Sequence, residues 1–244
     1  MILELAGFGV ITGFVSGFFG VGGGMILVPM LLLVGYIMKE AVAISIMQMV
    51  FSSIYGSFLN AQKAKDVVKD GIIIGAGGFV GGLQSGYIVT NVSNEFLQYL
   101  FIAILIFSII RIFYSPAEHN CERKSQNKLT LFIIGFFIGI VAMSIGVGGS
   151  IILTPILVGF MKYDLKSATA LGLFFVIFSS VAGFISISFH GQMLYLEGAT
   201  VGIASLIGVY FGIKAKHLVQ ATSYKKYILI LNIIILITML YKTI

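Results

Sequence analysis

The sequence predicts an all-α polytopic membrane protein built from two repeats of five membrane segments each. The chain is 59% hydrophobic and only 10% charged. So few charged residues could not cover the surface of a water-soluble protein. Apolar runs of roughly 17 to 25 residues, each able to cross the hydrocarbon layer as a helix, recur along the whole chain. The second half of the chain also repeats the residue pattern of the first half.

The apolar segments divide into two repeats joined by a polar linker. The N-terminal repeat, residues 1–114, has predicted segments at 2–19, 23–38, 41–61, 71–90 and 95–114. The C-terminal repeat, residues 129–244, has predicted segments at 129–145, 149–161, 166–188, 197–213 and 224–242. The linker, residues 115–128, is polar and contains the helix-breaking Pro116. Because Glu4 lies in the first segment and no basic stretch precedes it, we expect a membrane helix there and not a cleaved signal peptide.

The repeat is visible residue by residue. A shift of 126 aligns eleven residues with identical ones: Gly9, Gly13, Val15, Gly20, Val21, Gly22, Gly23, Ile26, Leu27, Pro29 and Leu31. A shift of 127 continues the alignment from residue 39 onward and pairs Ser52 and Ser53 with Ser179 and Ser180. Gene duplication is the simplest account of a repeat that spans five segments.

The positive charges predict the orientation of the segments. If the first two segments of each repeat form a hairpin whose ends lie on one side, the 15 Lys and Arg residues divide 13 to 2 between the two sides. If each glycine break instead interrupts one spanning helix, the same residues divide 8 to 7. The positive-inside rule favours the hairpin, with the linker in the cytoplasm and both termini outside. An odd number of crossings per repeat makes the two repeats inverted.

Each hairpin breaks at a glycine-rich motif that is a candidate substrate site. The predicted site residues are Gly20, Gly22, Gly23 and Gly24 in the first motif, with Gly146, Gly148, Gly149 and Ser150 in the second. The short segments 23–38 and 149–161 would be about 24 and 20 Å long as helices, so we expect re-entrant hairpins whose tips meet near the midplane. The first N–H groups of such helices lack intrahelical partners and carry about half a positive charge. They predict a site for a small anion, with Pro29 and Pro155 as structural hinges.

The glycines of the sequence allow two other interpretations. Glycines at four-residue spacing are typical of close helix packing in membranes, which we favour for Gly9, Gly13, Gly17, Gly78, Gly82 and Gly86. A phosphate-binding loop needs a Lys-Ser or Lys-Thr after the glycines, and none follows Gly24. Consecutive glycines break a helix, which favours function for the two motifs.

Polar residues within the third segments are further candidates for substrate binding: Gln48, Ser52, Ser53, Ser179 and Ser180. Serine in a membrane helix also bonds its own backbone or a neighbouring helix, and this alternative stays open. Gln84 in the fourth segment, where an amide is a costlier group to bury, is a candidate of the same kind. No catalytic constellation, metal-ligand spacing or cofactor motif is present, so we expect neither an enzyme nor a metal site.

The motif Gly-Phe-Val-Ser-Gly-Phe-Phe-Gly-Val-Gly-Gly-Gly at 13–24, with its second copy at 139–150, resembles the TauE/SafE family of sulfite and organosulfonate exporters. The resemblance covers essentially the whole chain. It implies a multi-pass protein of the bacterial inner membrane that moves sulfite, sulfonates or related small anions. The second copy departs from the first at Met143, Ser144, Ile145 and Ser150.

Together these features predict a secondary transporter for a small sulfur-containing or organic anion, working by alternating access. Its expected partners are that anion and the lipid bilayer, with no nucleic acid, and the sequence leaves homo-oligomer formation open. The alternatives are an anion channel of the same architecture and a membrane-embedded assembly factor or enzyme.

Overall fold

The computed structural model describes residues 2–20, 22–60, 68–114, 127–161, 163, 165–216 and 221–243. Within these residues every regular element is a helix, and no strand occurs. The predicted linker lies outside the described residues up to residue 126, as does Val21 of the first motif.

The described residues form eleven α-helices. Those of the first repeat are α1 (Ile2–Phe19), α2 (Gly24–Leu33), α3 (Met38–Asn60), α4 (Val68–Gly82), α5 (Ser85–Asn91) and α6 (Asn94–Tyr114). Those of the second repeat are α7 (Lys128–Ser144), α8 (Ser150–Gly159), α9 (Leu165–Phe189), α10 (Tyr195–Lys216) and α11 (Ala221–Thr243). Five spans in the described residues are long and apolar enough to cross a membrane, and they lie in α1, α3, α4 with α5, α6 and α10.

Two predicted segments differ from the observed helices. The segment predicted over 23–38 ends as a helix at Leu33, because Gly35 adopts a φ of +102° and the Tyr36 N–H turns back to the Leu31 carbonyl at 3.1 Å. A left-handed glycine of this kind is a common helix terminator. As a result α2 has only 10 residues, about 15 Å of helix at 1.5 Å per residue.

The segment predicted over 71–90 is broken in the middle. Between α4 and α5, Ser186 of α9 bridges the break: its hydroxyl donates to the Leu83 carbonyl at 2.6 Å and accepts from the Gly86 N–H at 2.9 Å. A side chain that inserts into the helical ladder is a known cause of such a break. Gln84 lies at this turn and is exposed, so the expectation that it is a buried polar group is wrong.

Glycines outside the two motifs bring helix backbones together. Along α1, a Cβ at Gly9, Gly13 or Gly17 would collide with the backbone of α10. Between α4 and α7, Gly77, Gly81 and Gly135 take the same role. Small residues at helix contacts allow this close approach, which van der Waals packing then stabilises. Gly78, Gly82 and Gly86 likewise leave no room for a Cβ against α9, so the packing interpretation of the four-residue glycine spacing is confirmed.

Helix contacts between the repeats come in matching pairs. The first helix of each repeat packs on the fourth helix of the other, so α1 contacts α10 and α7 contacts α4. The second helix of each repeat contacts the last helix of the other, so α2 contacts α11 and α8 contacts α6. The third helices, α3 and α9, contact each other. Neither repeat is therefore a separate domain, and the short helices α2 and α8 lie against long helices of both repeats.

The α1 and α10 contact provides a matched test of the glycine packing. Gly13→Ala should lower the thermal unfolding temperature of the detergent-purified protein by several degrees, because the new methyl group meets the Ser205 backbone, and overpacking typically costs about 1–3 kcal/mol. Gly7→Ala on the same helix should not lower it, since nothing lies within 4 Å of that Cβ position. Equal unfolding temperatures for the two variants would contradict this account of the packing.

Candidate functional site

The two glycine motifs have the same backbone conformation. All six of their described glycines that leave the helix have a left-handed φ: Gly20 +70°, Gly22 +84°, Gly23 +72°, Gly146 +69°, Gly148 +81° and Gly149 +70°. Residues with a side chain rarely adopt this conformation, whereas glycine does so without strain. The motifs therefore end α1 and α7 abruptly and start α2 and α8 after a few residues.

The breaks leave some backbone donors unpaired, although fewer than expected. The Gly24 N–H donates to the Gly22 carbonyl at 2.9 Å, and the Ser150 N–H donates to the Gly148 carbonyl at 2.8 Å. The expectation of free N–H groups at these two residues is therefore wrong, because the left-handed turn folds each amide back on the motif. Among the glycines of the two motifs, Gly22, Gly23, Gly148 and Gly149 have N–H groups without a hydrogen-bond partner in the described residues.

The N-terminus of α2 lies against the middle of long helices. A Cβ at Gly23 would lie 3.0 Å from the Thr12 carbonyl of α1 and 2.8 Å from Gln48 Nε2 of α3. A Cβ at Gly22 would lie 3.1 Å from Val176 Cγ1 of α9. These three residues occupy central positions in their helices, and the first motif is therefore enclosed by both repeats.

The first motif also contacts the second. The Ser45 hydroxyl of α3 donates to the Gly146 carbonyl at 2.7 Å, and both groups are buried. A Cβ at Gly24 would overlap the same carbonyl oxygen. Two stretches of non-helical backbone thus meet inside the protein, where each polar group must find a partner other than bulk water.

Gln48 is the least satisfied polar side chain beside the motifs. It is 0% exposed, and neither its Nε2 nor its Oε1 has a hydrogen-bond partner. Its counterpart at a shift of 127 is Phe175, whose ring lies against Gly149 as the Gln48 amide lies against Gly23. The two motifs share a backbone but differ in the side chain beside it, since the unpaired Gln48 amide lies beside the first motif and the Phe175 ring lies beside the second.

The second motif has Ser150 where the first has Gly24, and the helix that packs against each residue carries the compensating difference. In the first repeat α2 begins with Gly24, and α3 presents Ser45 to it. In the second repeat α8 begins with Ser150, and α9 presents Gly172, whose added Cβ would lie 2.9 Å from the Ser150 Cβ. Each contact therefore has one serine and one glycine, in opposite order, because two side chains would not fit. The sequence does contain a signal for Ser45. At the 127 shift Ser45 aligns with Gly172, a difference opposite to that between Gly24 and Ser150.

The four predicted serines use their hydroxyls within their own helices. Ser179 Oγ donates to the Phe175 carbonyl at 2.8 Å, and Ser180 Oγ donates to the Ile177 carbonyl at 3.2 Å. Ser52 and Ser53 make longer bonds of 3.4 and 3.5 Å to Met49 and Val50. All four are buried. The structure does not place them on the glycine motifs, in contrast to Gln48.

The two prolines occupy the same place in the two short helices. Pro29 is the sixth residue of α2, Pro155 is the sixth residue of α8, and both are buried. A proline at this place removes one intrahelical hydrogen bond. Their predicted role as hinges stays a prediction.

Two cavities differ in their polar lining. The larger, of about 360 Å³, is lined by Glu4, Tyr36, Glu40 and Glu197 together with apolar residues, and it contains no predicted site residue. Burial, followed by the charges of Glu197 and Glu40, raises the pKa of Tyr36 above its usual value. The smaller cavity, of about 20 Å³, is lined by Ser150, Thr154 and Asn232 together with apolar side chains. Asn232 is not among the site residues predicted from the sequence. The only signal for it there is an asparagine within an apolar segment.

The serine and glycine exchange predicts a double-mutant rescue. Gly172→Ala alone should lower the unfolding temperature by a few degrees, because its methyl group meets the Ser150 Cβ. Adding Ser150→Gly should restore most of the loss, since the second repeat then carries its side chain on α9, as the first repeat does on α3. Additive effects of the two substitutions in thermal unfolding would show that the residues do not interact.

The chain was compared with known proteins. A model of the family described as "Sulfite exporter TauE/SafE" matches residues 5–239. A probable membrane transporter protein of Methanocaldococcus jannaschii is 31% identical over 85% of this chain and 76% of its own length. The probable membrane transporter proteins YunE and YdhB of Bacillus subtilis are 26% and 22% identical, over 94% and 85% of this chain and 92% and 87% of their own lengths. No solved structure matches the chain.

The family match covers nearly the whole chain, including both glycine motifs and the described helices from α1 to α11. The relatives are named as membrane transporters, in agreement with five spans long and apolar enough to cross a bilayer in the described residues. The chain therefore belongs to the TauE/SafE family of membrane transporters.

Proposed function

We propose that the chain is a secondary transporter that moves a small sulfur-containing or organic anion, such as sulfite, a sulfonate or thiosulfate, across the inner membrane by alternating access. The observation that carries this proposal is the unpaired Gln48 amide beside the free N–H groups of Gly22 and Gly23. These groups lie together at the N-terminus of α2, against the centre of α3.

The chemistry of this site suits an oxyanion. A buried polar group without a partner costs about 1–3 kcal/mol, whereas a hydrogen bond to a charged group contributes about 1.5–3 kcal/mol. An anion beside α2 would accept from the Gln48 amide and from the two glycine N–H groups, and it would gain the positive end of the helix dipole. The site thus needs no buried Lys or Arg. The relatives' names do not specify a substrate, and sulfite is taken from the description of the family.

The paired helix contacts support alternating access. Two short helices, each of 10 residues, begin at motifs that contact each other. Each would span about half of the 30 Å hydrocarbon layer. We infer that α2 and α8 belong to re-entrant hairpins of two inverted repeats. Equivalent contacts of the two repeats could then exchange when the site opens to the other side.

We further propose that both termini lie outside and that the 115–128 linker is cytoplasmic. Of the two positive residues placed outside by the hairpin topology, Lys39 has a local partner, because its Nζ donates to the Thr90 carbonyl near the end of α5 at 3.0 Å. A cation is favoured at a helix C-terminus. This outside lysine has a structural role and does not weaken the charge count.

The single cysteine allows a direct test of the topology. Cys121 should react with a membrane-impermeant maleimide in inverted vesicles and not in intact cells, since the linker is expected in the cytoplasm. Leu3→Cys in a Cys121→Ser background should give the opposite result, because Leu3 lies near the N-terminus, at the other predicted side. Labelling of Cys121 in intact cells would contradict the proposed orientation.

A variant at Gln48 tests the site and the mechanism together. Purified protein should first bind one of sulfite, thiosulfate, methanesulfonate or acetate and catalyse saturable counterflow of that anion in proteoliposomes. Gln48→Leu should weaken binding by about 10-fold or more, through loss of a charge-assisted hydrogen bond. It should leave the unfolding temperature unchanged or higher, because it removes an unpaired buried amide.

Ser85→Ala is the matched control, since Ser85 is equally buried and its hydroxyl donates to the Gly82 carbonyl of its own helical turn at 2.7 Å. This variant should keep wild-type anion affinity. Full affinity in Gln48→Leu would overturn the α2 site. Flux without counterflow would favour the channel, and transport only with an added partner protein would favour an assembly factor.

A further inference from the structure

We propose that the second motif holds a different ligand, a single chloride-sized anion bound in the cavity at the N-terminus of α8. The cavity is lined by residues of α1, α2, α6, α8 and α11. The site is separate from the Gln48 site and does not depend on the identity of any transported substrate.

Two fully buried side chains that line this cavity each have one polar atom without a hydrogen-bond partner. Ser150 and Asn232 are both 0% exposed, and neither Ser150 Oγ nor Asn232 Oδ1 has a hydrogen-bond partner. Asn232 Nδ2 is 3.5 Å from Ser108 Oγ, which itself donates to the Ile151 carbonyl at 3.3 Å. Buried groups of this kind normally find a partner, which indicates a missing ligand.

The available groups favour a negative ligand. The Ser150 hydroxyl is a donor, the first turn of α8 carries the positive end of the helix dipole, and the N–H groups of Gly148 and Gly149 have no partner. If the Asn232 amide turns over, its NH₂ group faces the cavity and its oxygen accepts from the Ser108 hydroxyl, which then no longer donates to the Ile151 carbonyl. No Asp, Glu, Lys or Arg lines the cavity. A cation there would face the positive end of α8 with no carboxylate to balance it.

The cavity is small. Its volume is about 20 Å³, whereas a single water molecule needs about 10–15 Å³. A monatomic anion fits and also gains the dipole of α8, whereas neutral water has no net charge for that dipole to attract.

The first repeat has no such site. At the 126 and 127 shifts, Ser150, Thr154 and Asn232 correspond to Gly24, Val28 and Leu105. The first repeat therefore carries hydrogen or apolar groups where the second carries oxygen and nitrogen. The backbone motif is shared, but the polar lining exists beside α8 alone.

Thermal unfolding of the detergent-purified full chain tests the proposal without any transport assay. At constant ionic strength, replacing gluconate by chloride should raise the unfolding temperature by several degrees in a saturable way, because a ligand of the native state stabilises it. Ser150→Ala and Asn232→Leu should each reduce the affinity for chloride by about 10-fold or more. Ser205→Ala should not, since Ser205 is buried but its hydroxyl donates to the Gly202 carbonyl at 2.6 Å.

Bromide-soaked crystals should in addition show one anomalous peak beside Ser150. A wild-type unfolding temperature that does not depend on chloride would overturn the proposal and leave water as the only occupant. A chloride effect that persists unchanged in both cavity variants would place the anion elsewhere and overturn it as well. Gln48→Leu should keep the chloride effect, so failure of the α2 site and failure of this site give different results.

Discussion

The structure depends on the need to pair polar backbone groups where two helices break inside a helix bundle. A continuous helix satisfies its own N–H and C=O groups, but a break exposes them where water is scarce. The left-handed glycines pair two of these groups, because they turn the Gly24 and Ser150 N–H groups back to carbonyls of their own motifs. Ser45 of the first repeat pairs a third group by donating its hydroxyl to the Gly146 carbonyl of the second repeat. What remains unpaired at the two motifs is then available to a ligand.

This constraint explains why the surrounding helices are so rich in glycine. The two breaks can be buried only if the long helices close around them, and α1 and α4 approach α10 and α7 through glycines that leave no room for a Cβ. The close approach encloses α2 and α8 between the repeats. Backbone symmetry of the scaffold thus follows from repeated glycines, which determine where helices end and how closely they pack.

Side chains then distinguish two motifs that the backbone makes equal. Gln48 lies beside the first motif, whereas Phe175 lies at the equivalent place beside the second. Serine and glycine exchange positions between Gly24 with Ser45 and Ser150 with Gly172. A duplicated scaffold can diverge in this way without repacking, because each exchange keeps the contact volume nearly constant. The ligands that we propose for the two helix N-termini therefore differ in size and chemistry.

Local sequence determined much of this protein. Apolar length placed most helices within three residues, the 126 shift identified both motifs, and consecutive glycines predicted the breaks, because each of these depends on short-range backbone and solvent preferences. The break between α4 and α5 escaped prediction, since a hydroxyl from Ser186 on another helix stabilises it. The free donors, the Ser45 bond and the Asn232 cavity were likewise decided by tertiary structure. Whether a polar group finds a hydrogen-bond partner depends on residues distant in sequence, and a local sequence pattern does not reveal which residues those are.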